Sequence, residues 1–233
     1  MADNVIIVGE AIPPTLSTTP ATEDGQAQTQ TTTSNDSSPP SETVFTPSTS
    51  TSVLLPLTPS TSSPSALAHV QSVWDSIRPN SAIYNLLLSD IILVAAVSIP
   101  TGRILAHLTL QPIHLNSKRI LHGAVSGTLC DWAGGMAIAA SIAGDPDVAR
   151  DEEGKIVNKS TGVSTDMHLS YCSTAKEGDT LEIEAWVSRR GRKLGYTGFE
   201  IRKRVEGWER GERGEVVVVG SHTKYLPFGQ KRE

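Results

Sequence analysis

The pattern of hydrophobic and polar positions divides this chain into a polar N-terminal segment and a periodic remainder. Ser, Thr and Pro dominate residues 13–64, where Phe45 is the only aromatic residue. Such a composition cannot bury enough apolar surface to offset the entropy of ordering, so we predict a disordered tail over residues 1–65. A short apolar patch at residues 53–57 could dock on a partner, but we interpret it as a chance cluster.

Helical periodicity begins after this segment. Apolar residues recur at i, i+3 and i+4 spacing at Leu67, Val70, Val73, Trp74 and Ile77. This spacing predicts an amphipathic helix, which Pro79 interrupts, and a second short helix follows over Ala82–Leu88. Two strand-like runs come next, Ile91–Ile99 and Arg103–Leu110, separated by a Pro-Thr-Gly turn signal.

The segment His122–Ala143 is rich in Gly and Ala and is apolar on nearly every side. A helix that is hydrophobic all round is normally buried, and small residues let another backbone approach closely. A polar insert, Gly144–Ser160, follows and is expected on the surface. Four further strand-like runs cover Gly162–Tyr171, Thr180–Ser188, Leu194–Lys203 and Glu215–Tyr225. This order predicts an α+β domain over residues 66–233, with a long helix sheathed by an antiparallel sheet.

Charge and cysteine content exclude several classes of function. Residues 1–65 carry six acids and no Lys or Arg, whereas residues 66–233 are nearly neutral. A near-neutral domain lacks the clustered basic face that nucleic acid binding needs. The two cysteines, Cys130 and Cys172, are expected to be reduced thiols. No apolar run is long enough for a transmembrane segment, and the N-terminus shows neither a secretory signal nor a basic mitochondrial presequence, so we expect a cytoplasmic protein.

Asp131 is the most informative candidate for chemistry, because it lies within the apolar helix. Burial of an unpaired carboxylate is costly, so the site must supply hydrogen bonds, a partner charge or a raised pKa. A structural Asp at a subunit interface is an equally good interpretation from the residues alone. His122 and Gly123 open the same helix, whose N–H groups suit a developing oxyanion, although His122 could simply cap the helix. Asn116 could donate an amide hydrogen bond or be an ordinary loop residue.

These residues form an ordered series that resembles the active-site segment of the PaaI-type hotdog thioesterases, and within them the subgroup of acyl-coenzyme A thioesterase 13. The likeness runs from Asn116 through Ala124 to Asp131, and continues through Gly162–Met167. It then includes Tyr171, the segments 175–179 and 189–194, and ends at 220–225. It covers about residues 90–226 and keeps the family's order of motifs.

The resemblance implies a hotdog fold, with dimers that join their sheets and often pair into tetramers. It implies hydrolysis of acyl-CoA thioesters without a metal or organic cofactor, at a site shared by two protomers. Gly123 N–H and Asn116 would polarise the thioester carbonyl, Asp131 would act as general base or nucleophile, and Ser164 would orient water. It also implies that coenzyme A is contacted by Tyr171, Arg189, Arg190, Gly191, Arg192, Lys193, Leu194, Lys224 and Tyr225.

A non-catalytic acyl-CoA binding or sensing protein would keep the fold and the basic turn, residues 189–193, but would usually lose the carboxylate. The family includes mitochondria-associated members, although this N-terminus has no basic presequence. The chain departs from the family at Ala124, at Lys118-Arg119-Ile120 and in the long insert, so its preference for acyl chain length is left open.

Overall fold

A long helix and six strands organise the residues that the structure, a computed structural model, describes: 56–157 and 159–227. The helices are α1 (Pro64–Ile77), α2 (Ala82–Leu87) and α3 (Gly123–Ala143). The strands are β1 (Ile92–Val97), β2 (Arg103–Thr109), β3 (Val163–Tyr171), β4 (Thr180–Arg190), β5 (Leu194–Lys203) and β6 (Val216–Tyr225). Every predicted helix and strand is present, with ends that differ by at most two residues. No helix in the described ranges is both long and apolar enough to cross a membrane.

The strands form one antiparallel sheet in the order β1-β2-β4-β5-β6-β3, and α3 packs across it. This is the predicted hotdog arrangement of the α+β class. The opposite side of α3 is covered by α1, where the Trp74 and Trp132 rings meet edge to face at 5.6 Å. Because neighbours cover α3 on both sides, its residues are buried around most of its circumference.

Small residues on α3 permit close contact with the sheet. A Cβ placed on Gly134 would lie 2.9 Å from Thr197 Oγ1 and 3.0 Å from His222 Nδ1. Such distances are below normal van der Waals separation, so a larger residue would push α3 away from β5 and β6. The Gly-rich composition of this helix therefore serves its packing against the sheet.

Residues 56–65, which the sequence assigned to the tail, include ordered structure. Leu57 is 1% exposed and packs with Ala95, Leu105 and Trp208 in a small apolar cluster. Ser63 N–H donates to Ala96 O over 2.8 Å, which ties the segment to β1. The interpretation of the 53–57 patch as a chance cluster is therefore wrong for Leu57, which has a buried place against the sheet. The remaining predicted tail, residues 1–55, lies outside the described residues.

The polar insert 144–160 is mostly exposed, as predicted, but it is not structureless. Arg150 and Ile156 form an isolated antiparallel bridge, and Ile156 is buried. The insert and α1 together line a cavity of about 740 Å³. Cys130 is buried and Cys172 exposed, and both are free thiols.

Candidate active site

Asp131 lies near the middle of α3 and accepts hydrogen bonds from three elements. Ser164 Oγ on β3 and Lys224 Nζ on β6 donate to Oδ1, over 2.7 Å and 2.8 Å. Tyr84 Oη on α2 donates to Oδ2 over 2.5 Å. One third of the Asp131 side chain remains exposed. The acid that the sequence singled out therefore has hydrogen-bond partners on both oxygens and is still accessible.

The charge state of Asp131 follows from these contacts. Burial by itself would raise the pKa of the carboxyl group. The nearby ammonium of Lys224, its hydrogen bond, and those from Tyr84 and Ser164 outweigh burial and lower the pKa to about 2. Asp131 is consequently an anion at neutral pH, and the carboxylate is held in one orientation.

Strand register explains why Ser164 and Lys224 reach the same carboxylate. These two residues are direct partners across the antiparallel β3–β6 pair, where opposite side chains are close neighbours. Lys224 also hydrogen bonds to Ser164 Oγ over 3.3 Å, and its side chain is 4% exposed. Ser164 thus donates its hydroxyl proton to Asp131 and contacts the carboxylate directly.

His222 lies two residues before Lys224, so both side chains project from the same face of β6. Its Nε2 is 3.7 Å from Asp131 Oδ1, and the side chain is 1% exposed. Burial, and then the positive charge of Lys224, lower the pKa of His222. The imidazole is therefore neutral at pH 7, which makes Lys224 the cation of this cluster.

The N-terminus of α3 forms a second group of candidate residues. His122 is the N-cap, and its Nδ1 accepts from Ala124 N–H over 3.0 Å. Gly123 is the first helical residue, whose N–H has no carbonyl partner within the helix. Tyr171 Oη donates to Gly123 O over 3.3 Å, and Tyr171 is mostly exposed. The geometry assigns a capping role to His122 and leaves the N–H of Gly123 as the candidate oxyanion donor.

Asn116 lies in the loop that leads to this helix end. Its Oδ1 accepts from the N–H groups of Lys118 and Ile120, over 2.9 Å and 3.4 Å. This bonding orders the loop, as an ordinary loop Asn does, and it constrains the side-chain amide. The Nδ2 group remains as the donor that the oxyanion role would use.

The acid and the helix end of one chain are too far apart to act on the same carbonyl group. Gly123 and Asp131 are separated by eight residues, which corresponds to a rise of about 12 Å along an α-helix. If one carbonyl group contacted both, the oxyanion donor and the carboxylate would be only about 7 Å apart, because each contact is about 3 Å long. The N–H of Gly123 and the carboxylate of Asp131 in one chain therefore cannot contact the same carbonyl group.

Comparisons with known proteins agree with the fold and with these motifs. Residues 119–207 match the family described as the Thioesterase superfamily. The matched stretch contains α3, β3, β4 and β5. The match includes Gly123, Asp131, Ser164 and the basic turn, and excludes Tyr84 and Lys224.

Named proteins are similar to this chain over most of their own length. Acyl-coenzyme A thioesterase 13 of Homo sapiens is 28% identical over 133 residues, which are 57% of this chain and 79% of that protein. The protein of the same name from Mus musculus is 26% identical over the same extent. The crystal structure of zebra fish thioesterase superfamily member 2 aligns with a TM-score of 0.50 at 26% identity, covering 68% of this chain and 94% of that one.

The cations of the basic turn, residues 189–193, lie in two different environments. An open cavity of about 830 Å³ is lined by Arg189, Gly191, Arg192, Lys193, Leu194 and Tyr196. Arg190 is absent from that lining, because its guanidinium pairs with Asp145 over 2.5 Å and contacts Ser141. Tyr225 is partly exposed and is paired in register with Leu194. Arg190 is thus held by Asp145 in this structure, and its contact with coenzyme A stays a prediction.

Lys224 lies at the acid site, and its predicted contact with coenzyme A stays a prediction. The resemblance assigned it to the coenzyme A end, but its ammonium is buried against Asp131 and Ser164. Sequence reasoning missed Tyr84 altogether, because it precedes the stretch that carries the resemblance. In the described residues no group of three or more His, Cys, Asp or Glu side chains could hold a metal ion.

Proposed function

We propose that this thioesterase domain hydrolyses acyl-CoA thioesters to a free acid and coenzyme A, with Asp131 as the general base or nucleophile. The observation that carries the proposal is an ionised, partly exposed carboxylate held by donors from α2, β3 and β6. The relatives with the name acyl-coenzyme A thioesterase support the class of substrate. The family and the shared motifs support the class of reaction.

The reaction requires stabilisation of an oxyanion and activation of the attacking group. In attack by water, Asp131 accepts the proton as the water oxygen bonds to the thioester carbon. In covalent attack, a carboxylate oxygen bonds to that carbon and water later hydrolyses the anhydride. In both cases the C–S bond breaks, the thiolate of coenzyme A leaves, and the N–H of Gly123 with the amide of Asn116 stabilises the oxyanion.

We infer that one complete site is formed by two protomers, because Gly123 and Asp131 of a single helix are too far apart. The exposed strand β3 lies at the edge of the sheet and carries Val163, Met167 and Tyr171, which are 65%, 41% and 62% exposed. An open strand edge is a template for pairing with another strand. Joining two β3 edges would give the homodimer that the resemblance implies, and two dimers would give a tetramer.

The phosphates of coenzyme A would bind at the cavity of the basic turn. Arg189, Arg192 and Lys193 line it, and guanidinium groups form charge-assisted bonds to phosphate. Tyr171 and Tyr225 are exposed enough to contact other parts of the coenzyme A group. The cytoplasmic location expected from the sequence stays a prediction, which imaging of the tagged chain would test.

Release of free thiol from a panel of acyl-CoA chain lengths tests the proposal and identifies the preferred substrate. We expect turnover by the wild-type chain and loss of about 10²–10⁴ in kcat in Asp131→Asn, because proton transfer to a positioned base contributes that much. Asn keeps an acceptor for Lys224, and Asp75→Asn on the exposed face of α1 is the matched control. Substrate binding without turnover in the wild type would support the non-catalytic acyl-CoA binding protein instead.

A further inference from the structure

We propose that Tyr84 is a positioning residue for Asp131. Its hydrogen bond occupies one lone pair of Oδ2, and the other lone pair accepts a proton from water or attacks the thioester carbon. This inference rests on the proposed function, because it names the atom and the helix that serve the same reaction. Tyr84 lies on α2, which precedes the residues matched to the family.

The count of lone pairs on the carboxylate identifies the reacting atom. Each carboxylate oxygen has two lone pairs. Oδ1 accepts from Ser164 and from Lys224, and so its two positions are filled. Oδ2 accepts from Tyr84 and, among the residues that the structure describes, from no other donor. The free lone pair on Oδ2 is therefore the one that can accept a proton or attack.

Packing holds the Tyr84 ring in place. Its centroid is 5.9 Å from that of Trp74, whose own ring contacts Trp132 on α3. The backbone of α2 is fixed at both ends, since Ser81 Oγ caps Tyr84 N–H and Leu88 is fully buried. An aromatic side chain held in this way can orient a carboxylate at little further entropic cost.

The same helix also connects to the N-terminal end of α3. Leu87 O contacts His114 Nε2 over 2.9 Å, and His114 O accepts from His122 N–H over 2.9 Å. Helix α2 thus contacts the acid through Tyr84 and the candidate oxyanion end through His114. The position of this six-residue helix therefore affects both Asp131 and the N-terminal end of α3.

The variant Tyr84→Phe tests the proposal, because it keeps the ring and removes only the hydroxyl group. We expect kcat to fall about 10- to 100-fold with little change in KM, as for other losses of precise positioning. Asn85→Ala, on the exposed side of the same helix, is the control and should leave kcat unchanged. A lower melting temperature with wild-type kcat would make Tyr84 a structural residue only and would overturn the proposal.

The pH profile separates positioning from simple packing. The groups around Asp131 are Tyr84 on α2, Cys130 on α3, Ser164 on β3, and His222 and Lys224 on β6. A donor to the ionised form lowers the pKa of Asp131, so its loss raises that pKa. The ratio of Tyr84→Phe to wild-type activity should therefore be smaller at about pH 4 than at about pH 7. A ratio that is independent of pH would contradict the assigned contact.

A titration that needs no activity distinguishes this proposal from the proposed function. Burial, then the hydrogen bond to Asp131 and the charge of Asp131, raise the pKa of Tyr84. Phenolate absorbance of the four tyrosines should show one that resists ionisation in the wild type and ionises at lower pH in Asp131→Asn. An unchanged titration would overturn the Tyr84 contact even in an active enzyme. Absence of thiol release by the wild type would overturn the proposed function while the titration still reported on the contact.

Discussion

The variant Lys224→Met tests the electrostatics of the acid site most specifically. Lys224 Nζ lies 2.8 Å from Asp131 Oδ1, and its positive charge is the largest influence that lowers the pKa of Asp131. The lowering from 3.8 to about 2 corresponds to about 2 kcal/mol of stabilisation at neutral pH. Because one third of the Asp131 side chain is exposed, solvent screening reduces this to about 1 kcal/mol.

The sign of the pH dependence follows from linkage. A carboxylate whose folded-state pKa is depressed stabilises the fold above its unfolded value and loses that contribution as pH falls through the folded pKa. The free energy of unfolding of the wild type should thus fall by about 1 kcal/mol between about pH 5 and pH 2 through this ion pair. Lys224→Met lacks the ion pair and should not show this fall. The free-energy difference between the two chains is expected to shrink toward acid pH.

Urea denaturation followed by tryptophan fluorescence at several pH values measures this difference. Removal of a buried cation also changes packing and desolvation, so the absolute difference at pH 7 is less informative than its slope with pH. Lys155→Met is the control, because Lys155 pairs with Glu153 at the exposed surface. A difference between wild type and Lys224→Met that stays constant from neutral to acid pH would refute the reasoning.

Three further variants test other parts of the account. Gly123→Pro removes the proposed oxyanion N–H at a helix position where Pro is tolerated, so kcat should fall ~10²–10³ below that of Gly123→Ala, and equal kcat values would contradict the role. Arg192→Glu should raise KM for acyl-CoA about tenfold with kcat unchanged, in a salt-dependent way, and an unchanged KM would leave the basic turn without a binding role. Leu57→Ala should lower the free energy of unfolding by about 2–4 kcal/mol in urea titrations, since Leu57 is almost fully buried, and a change below about 0.5 kcal/mol would remove residues 56–65 from the folded domain.

The sequence was sufficient for the elements because their signals are local. The all-round apolar composition of α3 predicted a buried helix, and the structure confirms it as Gly123–Ala143. The strand predicted at Leu194–Lys203 is β5 with the same ends. Asp131 was recognisable for the same reason, because a single acid in an apolar helix must have partners.

The partners themselves could not be predicted, because they depend on three-dimensional packing. Tyr84 on a short amphipathic helix has the pattern of a core aromatic, and nothing local indicates that its hydroxyl meets Asp131. Strand alternation predicts the face of β6 on which Lys224 lies, but it does not predict how deeply its ammonium group is buried. The basic turn was treated as one group, whereas the ion pair of Arg190 with Asp145 separates it from Arg192.

The most direct test of the central claim is complementation between two inactive variants. Gly123→Pro and Asp131→Asn are purified separately, mixed under conditions that exchange subunits, and assayed for thiol release. If each site combines Gly123 of one protomer with Asp131 of the other, random mixing should restore about a quarter of wild-type activity, since half of the dimers then hold one intact site. No recovery in a mixture shown to contain heterodimers would contradict a site shared between protomers.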